Sequence, residues 1–276
     1  MKRLKFLLLI FLCSCTSNLY DELADKETPE AVFFEAKMKI NEQDYDTAIT
    51  LLNSLDPLFL ADRERVPVYA SAYAGRCGLV FLDLMTSMQN TGTATVLGTL
   101  MAAFDNSDTN DINDCIQAES ILTTHIGGPT LRSSDENLFM AFISLSKIAA
   151  ILSALADQNN DDVTDDDGTP AGTFDQCDNT DLPEAMVRQI GAGIGSALLS
   201  LAAVGASYVD DAISDVNTLC SQDPNLNVFC TADDPSVFGA AEVQALRYAI
   251  GSSDYGIDSC GGNDFSACAL ANPVCP

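Results

Sequence analysis

The sequence predicts a mainly α protein, built of packed helical hairpins, a long central helix rich in small residues and an irregular, disulfide-rich C-terminal cap. Three observations predict this. Apolar residues recur at spacings of three and four from residue 31 onward, the period of a helix with one buried face. No run shows the period-two alternation of β-branched residues that marks a strand. Five of the cysteines fall within residues 220–275, among Asp, Asn, Gly and Pro, a composition that makes loops in need of covalent staples.

The N-terminal segment reads MKRLKFLLLIFLCSCTSN. Lys2, Arg3 and Lys5 precede an apolar run that is too short to span a bilayer as a mature helix, so residues 1–14 are expected to be a signal peptide. Leu12, Cys13, Ser14 and Cys15 resemble the lipobox of bacterial lipoproteins. That resemblance implies that Cys15 carries the lipid and becomes the new N-terminus. Thr16 and Ser17 follow it where a retention signal would place Asp, which implies the outer membrane. Residues 15–30 are then a polar tether, and residues 31–276 a single helical domain.

The formal charge at pH 7 is -27, and loss of the signal removes basic residues only. Such a surface repels nucleic acid and anionic lipid headgroups, and a protein partner would have to bring basic residues to it.

Hairpins are expected over residues 31–90. The stretch AVFFEAKMKINEQDYDTAITLLNSLDP resembles one tetratricopeptide repeat. Ala36 matches the small residue of the first helix, Tyr45 the turn, Ala48 the small residue of the second helix and Leu52 the next core position, with Pro57 about three residues early. The resemblance implies a helical hairpin that offers a concave face to a peptide or protein. In ERVPVYASAYAGRCGLVFLDLMTSM, Ala70, Ala72 and Ala74 would permit close helix contact in a second hairpin.

Further helices are expected in residues 93–104, 133–157, 182–219 and 236–250. Ser133 and Glu136 read as a capping box, and Pro183 suits the first turn of its helix. Residues 190–209 are uncharged and long enough to cross a bilayer. They are Gly-, Ala- and Ser-rich, with Ile190, Ile194, Leu198, Leu201 and Tyr208 at helical spacing, a pattern that favours a buried central helix over a membrane span. Lys147 alone interrupts the apolar run before Ala156.

Once Cys13 and Cys15 are set aside, Cys77, Cys115, Cys177, Cys220, Cys230, Cys260, Cys268 and Cys275 remain. An even number suits disulfides in an oxidising compartment, with connectivity left open. Zinc is disfavoured by the lack of any C-x-x-C pair and by a single histidine.

Candidate chemistry concentrates in the acidic loop of residues 157–181, which begins DQNNDDVTDDDG. Asp157, Asn159, Asp161, the carbonyl of Val163 and Asp165 occupy the alternate positions of an EF-hand calcium loop. The longer stretch through Cys177 also resembles thrombospondin type 3 calcium repeats. Asp162 stands where the loop wants Gly and Gly168 where it wants Glu, so calcium and a merely solvated loop stay open alternatives. DNSDTNDIND, residues 105–114, is a second acidic cluster that reads as a cap and turn. His125 is expected at a helix end without a catalytic role. GAGIGS, residues 191–196, resembles a dinucleotide fingerprint but lacks its third glycine and its strand. G-x-S-x-G and H-E-x-x-H are absent.

No catalytic residue is therefore expected. The expected function is that of a lipid-anchored envelope protein that binds or scaffolds another protein. The alternatives are an accessory solute-binding lipoprotein of a tripartite-type uptake system and a calcium-dependent surface adhesin.

Overall fold

The computed structural model describes residues 27–82, 84, 86, 95–104, 107–158, 174–205, 224–252, 256 and 257. The signal peptide and Cys15 lie outside the described residues. So do Asn159, Asp161, Val163 and Asp165, and with them Cys220, Cys260, Cys268 and Cys275. Among the described residues every regular element is helical and none is a strand.

The first hairpin joins α1, Pro29–Asn41, to α2, Tyr45–Asn53. α1 starts two residues before Ala31 because Thr28 caps it, its hydroxyl accepting from the Ala31 N–H, and Pro29 takes the first position, where a missing N–H costs nothing. The turn passes through Gln43 at φ 61°, and Asp44 caps α2 by accepting from the Thr47 N–H. Ala36, Ala48 and Leu52 are all fully buried, as their small-residue spacing predicts.

A short helix α3, Pro57–Leu60, leads to α4, Val66–Arg76. α4 has buried alanines on two sides. Ala72 packs against the first hairpin, while Ala70 and Ala74 meet Ile121, Leu122 and Met140. α4 is thereby sandwiched between α2 and α6, Thr109–His125, while much of the second half of the expected second hairpin, residues 83, 85 and 87–88, lies outside the described residues. Gly75 makes that sandwich possible on one side, because a Cβ there would lie 2.2 Å from the Tyr45 ring.

α6 bears out the cap in the cap-and-turn reading of residues 105–114 and adds the helix that follows it. Asp108 caps it, accepting from Asn110 and Asp111, while the Asp111 carboxylate returns to the Asp108 N–H in a capping box. Ile112, Cys115, Ala118, Ile121 and Leu122 then follow at helical spacing into the core. Asp114 points inward as well, and its carboxylate accepts from Arg76 Nε at 2.6 Å and Nη2 at 2.8 Å. Arg76 reaches Asp46 at 2.9 Å in addition, so one guanidinium ties α2, α4 and α6 together.

Beside this clamp Cys77 and Cys115 form a disulfide across α4 and α6, with Cα atoms 5.2 Å apart. Cys177 and Cys230 are also disulfide-bonded. The expectation of disulfides over zinc holds at these four cysteines.

The centre of the molecule is the pair α7, Ser134–Ala156, and α8, Glu184–Val204, with α5, Val96–Ala102, against α7. The capping box of Ser133 and Glu136 starts α7, and Arg63 braces that end by donating to Glu136 Oε2 at 2.6 Å and to the Leu131 carbonyl at 2.8 Å. Ile143, Ile148, Ile151 and Leu152 of α7 are fully buried, each contributing about 1.5–3 kcal/mol.

α8 opens after Pro183 and ends at Gly205, φ 66°, short of Val209. Its seam is made by its small residues. Gly191, Gly193, Gly195, Ser196 and Ser200 are buried, whereas Ile194, Leu198 and Leu201 are half-buried. Among the described residues α7 and α8 are each long and apolar enough to cross a bilayer, with 72% and 50% of their most apolar window buried inside the fold.

The cap is built from α9, Pro224–Asn227, two 3-10 turns at Val228–Cys230 and Pro235–Val237, and α10, Ala240–Gly251. Phe229 lies over Gly191 and the carbonyl of Ala232 over Gly195. Phe229 also stacks on Phe238, with ring centroids 4.4 Å apart. A Cβ at Gly195 would stand 1.9 Å from the Ala232 oxygen and 2.9 Å from the Phe229 oxygen, both backbone atoms that cannot rotate aside. Gly195→Ala should thus cost at the upper end of the overpacking range, about 3 kcal/mol. In a urea melt Gly205→Ala serves as the control, since it meets no neighbour and carries only its positive-φ strain.

Candidate functional site

The groove of interest opens between α2, α3 and α4 on one side and α6 on the other, and encloses about 400 Å3. Leu55, Leu60 and Ile121 are buried beneath it and give an apolar floor. Over this floor stands Tyr69, whose hydroxyl donates to Asn53 Oδ1 at 2.9 Å. Asn53 Nδ2 in turn donates to the Tyr73 hydroxyl at 3.1 Å. The two tyrosine rings meet edge to face, 5.6 Å between centroids, as i and i+4 on α4. Arg65 steadies the α3 wall by lying 3.6 Å over the Phe59 ring and donating to the Phe59 carbonyl at 2.9 Å.

Burial, and then the neighbouring Tyr73, push the Tyr69 phenol up to about 12. A group raised in this way favours its neutral form when folded, so its contribution to stability is whole below about pH 10, the ordinary value, and is lost as pH rises through about 12. In an ultraviolet titration the Tyr69 phenol should therefore ionise late, and Tyr69→Phe should remove that late step. An unchanged titration curve in the variant would contradict the assignment.

The opposite wall is of a different kind. Gln117, Ser120 and Thr124 are exposed along one side of α6, with His125 at its end. Among the described residues lining the groove none is Asp, Glu, Lys or Arg, an uncharged strip on a chain of charge -27. His125 closes α6, as expected of it, and it stands here at the rim of a cavity, which no sequence motif announced.

A second polar cluster is largely interior. Lys147 is 1% exposed and ion-paired with Glu119, 15% exposed. Its ammonium also donates to Gln189 Oε1 at 3.3 Å. Ser144 donates to Glu119 Oε1 at 2.6 Å and lies 2.9 Å from Ser196 Oγ. The cluster joins α6, α7 and α8, and its groups bond to one another. It therefore links three helices through charged and polar side chains.

Of the calcium positions, Asp157 is described. It is 2% exposed and follows the last turn of α7, its N–H donating to the Ser153 carbonyl at 3.2 Å. Among the described residues no three of His, Cys, Asp and Glu are grouped to hold a metal ion. Of the second acidic cluster, Asp108 and Asp111 serve the α6 cap and Asp114 pairs with Arg76, while Asp105 lies outside the described residues. The glycines of GAGIGS lie in the packed faces of α8, with Gly193 against Ile148 and the Ser144 carbonyl, where no phosphate could approach.

Comparisons with family models, with curated protein sequences and with solved structures find no match.

Proposed function

We propose that this is a lipid-anchored protein of the bacterial envelope, held by Cys15 and acting as a protein-binding or scaffolding module through the groove between α2–α4 and α6. The observation that carries this reading is the groove itself, an apolar floor of Leu55, Leu60 and Ile121 walled by uncharged polar side chains. A few convergent polar groups over apolar ground is the usual make-up of a recognition site. Binding without turnover fits this lining, in which Tyr69 and Asn53 are engaged with each other rather than with a nucleophile. The -27 charge selects for a basic partner and steers it in.

The accessory solute-binding reading has one observation in its favour, since about 400 Å3 falls within the range of small-molecule sites, about 300–1,000 Å3.

A photo-crosslinking residue placed at Thr124 or Gln117 of the full lipidated chain in its own cells tests the proposal. A discrete higher-mass adduct is expected from these positions and not from Phe34, which is exposed on α1. Cys15→Ser should release the protein from membranes and abolish the adduct. Absence of any adduct from the groove, with a small molecule recovered on native purification, would replace the scaffold reading by the solute-binding one.

A further inference from the structure

We infer that the groove takes an extended peptide main chain, seating one apolar side chain on its floor and leaving basic residues on the flanks. This rests on the protein-binding reading above and names the form of the partner. Gln117, Ser120 and Thr124 stand at i, i+3 and i+7 of α6, and at 1.5 Å per residue the row is about 10 Å long. An extended chain advances about 3.3 Å per residue, so the row matches about three residues. Among the described residues these three side chains make no hydrogen bond to any protein group, whereas the facing Asn53 is held by Tyr69 and Tyr73. One wall is thus fixed and the other is free to pair with a ligand.

The chemistry of the free wall discriminates between peptide conformations. A helix satisfies its own backbone N–H and C=O groups, but an extended segment arrives with both unpaired and must find partners for them. Amide and hydroxyl side chains donate and accept, as such a main chain requires. Beneath the row, Leu60 and Ile121 offer an apolar seat, and the lack of charge in the lining disfavours a carboxylate or ammonium there. Beyond the groove the chain's net charge of -27 favours cationic flanks.

The test is fluorescence anisotropy with the full chain and labelled peptides. The probe is Lys-Lys-Ala-Leu-Ala-Lys-Lys, compared with the same peptide carrying Asp in place of Leu and with one N-methylated at its three central amides. Both changes should weaken binding by about tenfold or more, as should the Gln117→Ala, Thr124→Ala double variant. Phe34→Ser should bind like the parent. Equal affinity for the N-methylated peptide would overturn the inference, because general attraction between lysines and an acidic surface would then explain the binding. If no peptide binds while groove crosslinks to a folded partner persist, the inference fails and the protein-binding reading stands. If both are absent, both fall.

Discussion

Glu119→Leu is expected to lower the unfolding free energy by about 3–5 kcal/mol, the usual cost of leaving one member of a buried ion pair alone. Lys147→Met should cost less, because the two residues are not equally buried. Lys147 is 1% exposed and has no route to water when its carboxylate is lost. Glu119 is 15% exposed and keeps the Ser144 hydroxyl as a donor when its ammonium is lost. The double variant Glu119→Leu, Lys147→Met removes both charges together and should recover most of the loss, since an apolar pair of similar volume is often as stable as a buried ion pair. Urea melts of the four proteins close the cycle. Equal costs for the two single variants would show that the pair is hydrated in solution, and a double variant worse than either single would mean that the cluster is needed to set the register of α6, α7 and α8.

Lys147 also shows how far the sequence could be read. A lone cation in an apolar run is visible as an interruption, and a fully buried one demands an anion. Nothing in the order of residues says that the anion is Glu119, 28 positions earlier. The hairpin of α1 and α2 was legible because Ala36, Ala48 and Leu52 express a contact that is local in sequence. The start of α7 was legible for the same reason, Ser133 and Glu136 being three residues apart. α6 was legible only at its two ends, the cap cluster of residues 105–114 and His125 at a helix end, because its first turn is Asp- and Asn-rich and those residues favour turns as readily as caps. What distinguishes the two is the capping geometry at Asp108 and the ion pair between Asp114 and Arg76, a tertiary contact. The groove was illegible altogether. Asn53, Tyr69 and Gln117 come from three helices well separated in sequence, and α4 packs on α6, so the site exists only once those helices are placed.

Joint replacement of Cys77 and Cys115 by alanine should cost about 4 kcal/mol. The bond closes a loop of 38 residues, and the chain-entropy relation assigns about that much to a loop of this length. For a chain of this size the loss corresponds to a fall in Tm of roughly 8–16 °C. Both sulfurs are buried, at 1% and 0% exposure, so reductant should act on the native protein slowly and only through unfolding. The neighbouring Arg76–Asp114 clamp joins the same two helices by hydrogen bonds of 2.6 and 2.8 Å, and it separates two accounts of the bond. If the disulfide stabilises by restricting the unfolded chain, native α4 and α6 stay in place without it, and Arg76→Leu costs the same in both backgrounds to within about 0.5 kcal/mol. That additivity is the expected result. A markedly smaller cost of Arg76→Leu in the unlinked protein would show instead that the bond positions the clamp, and that the sandwich of α4 between α2 and α6 depends on oxidation for its native geometry.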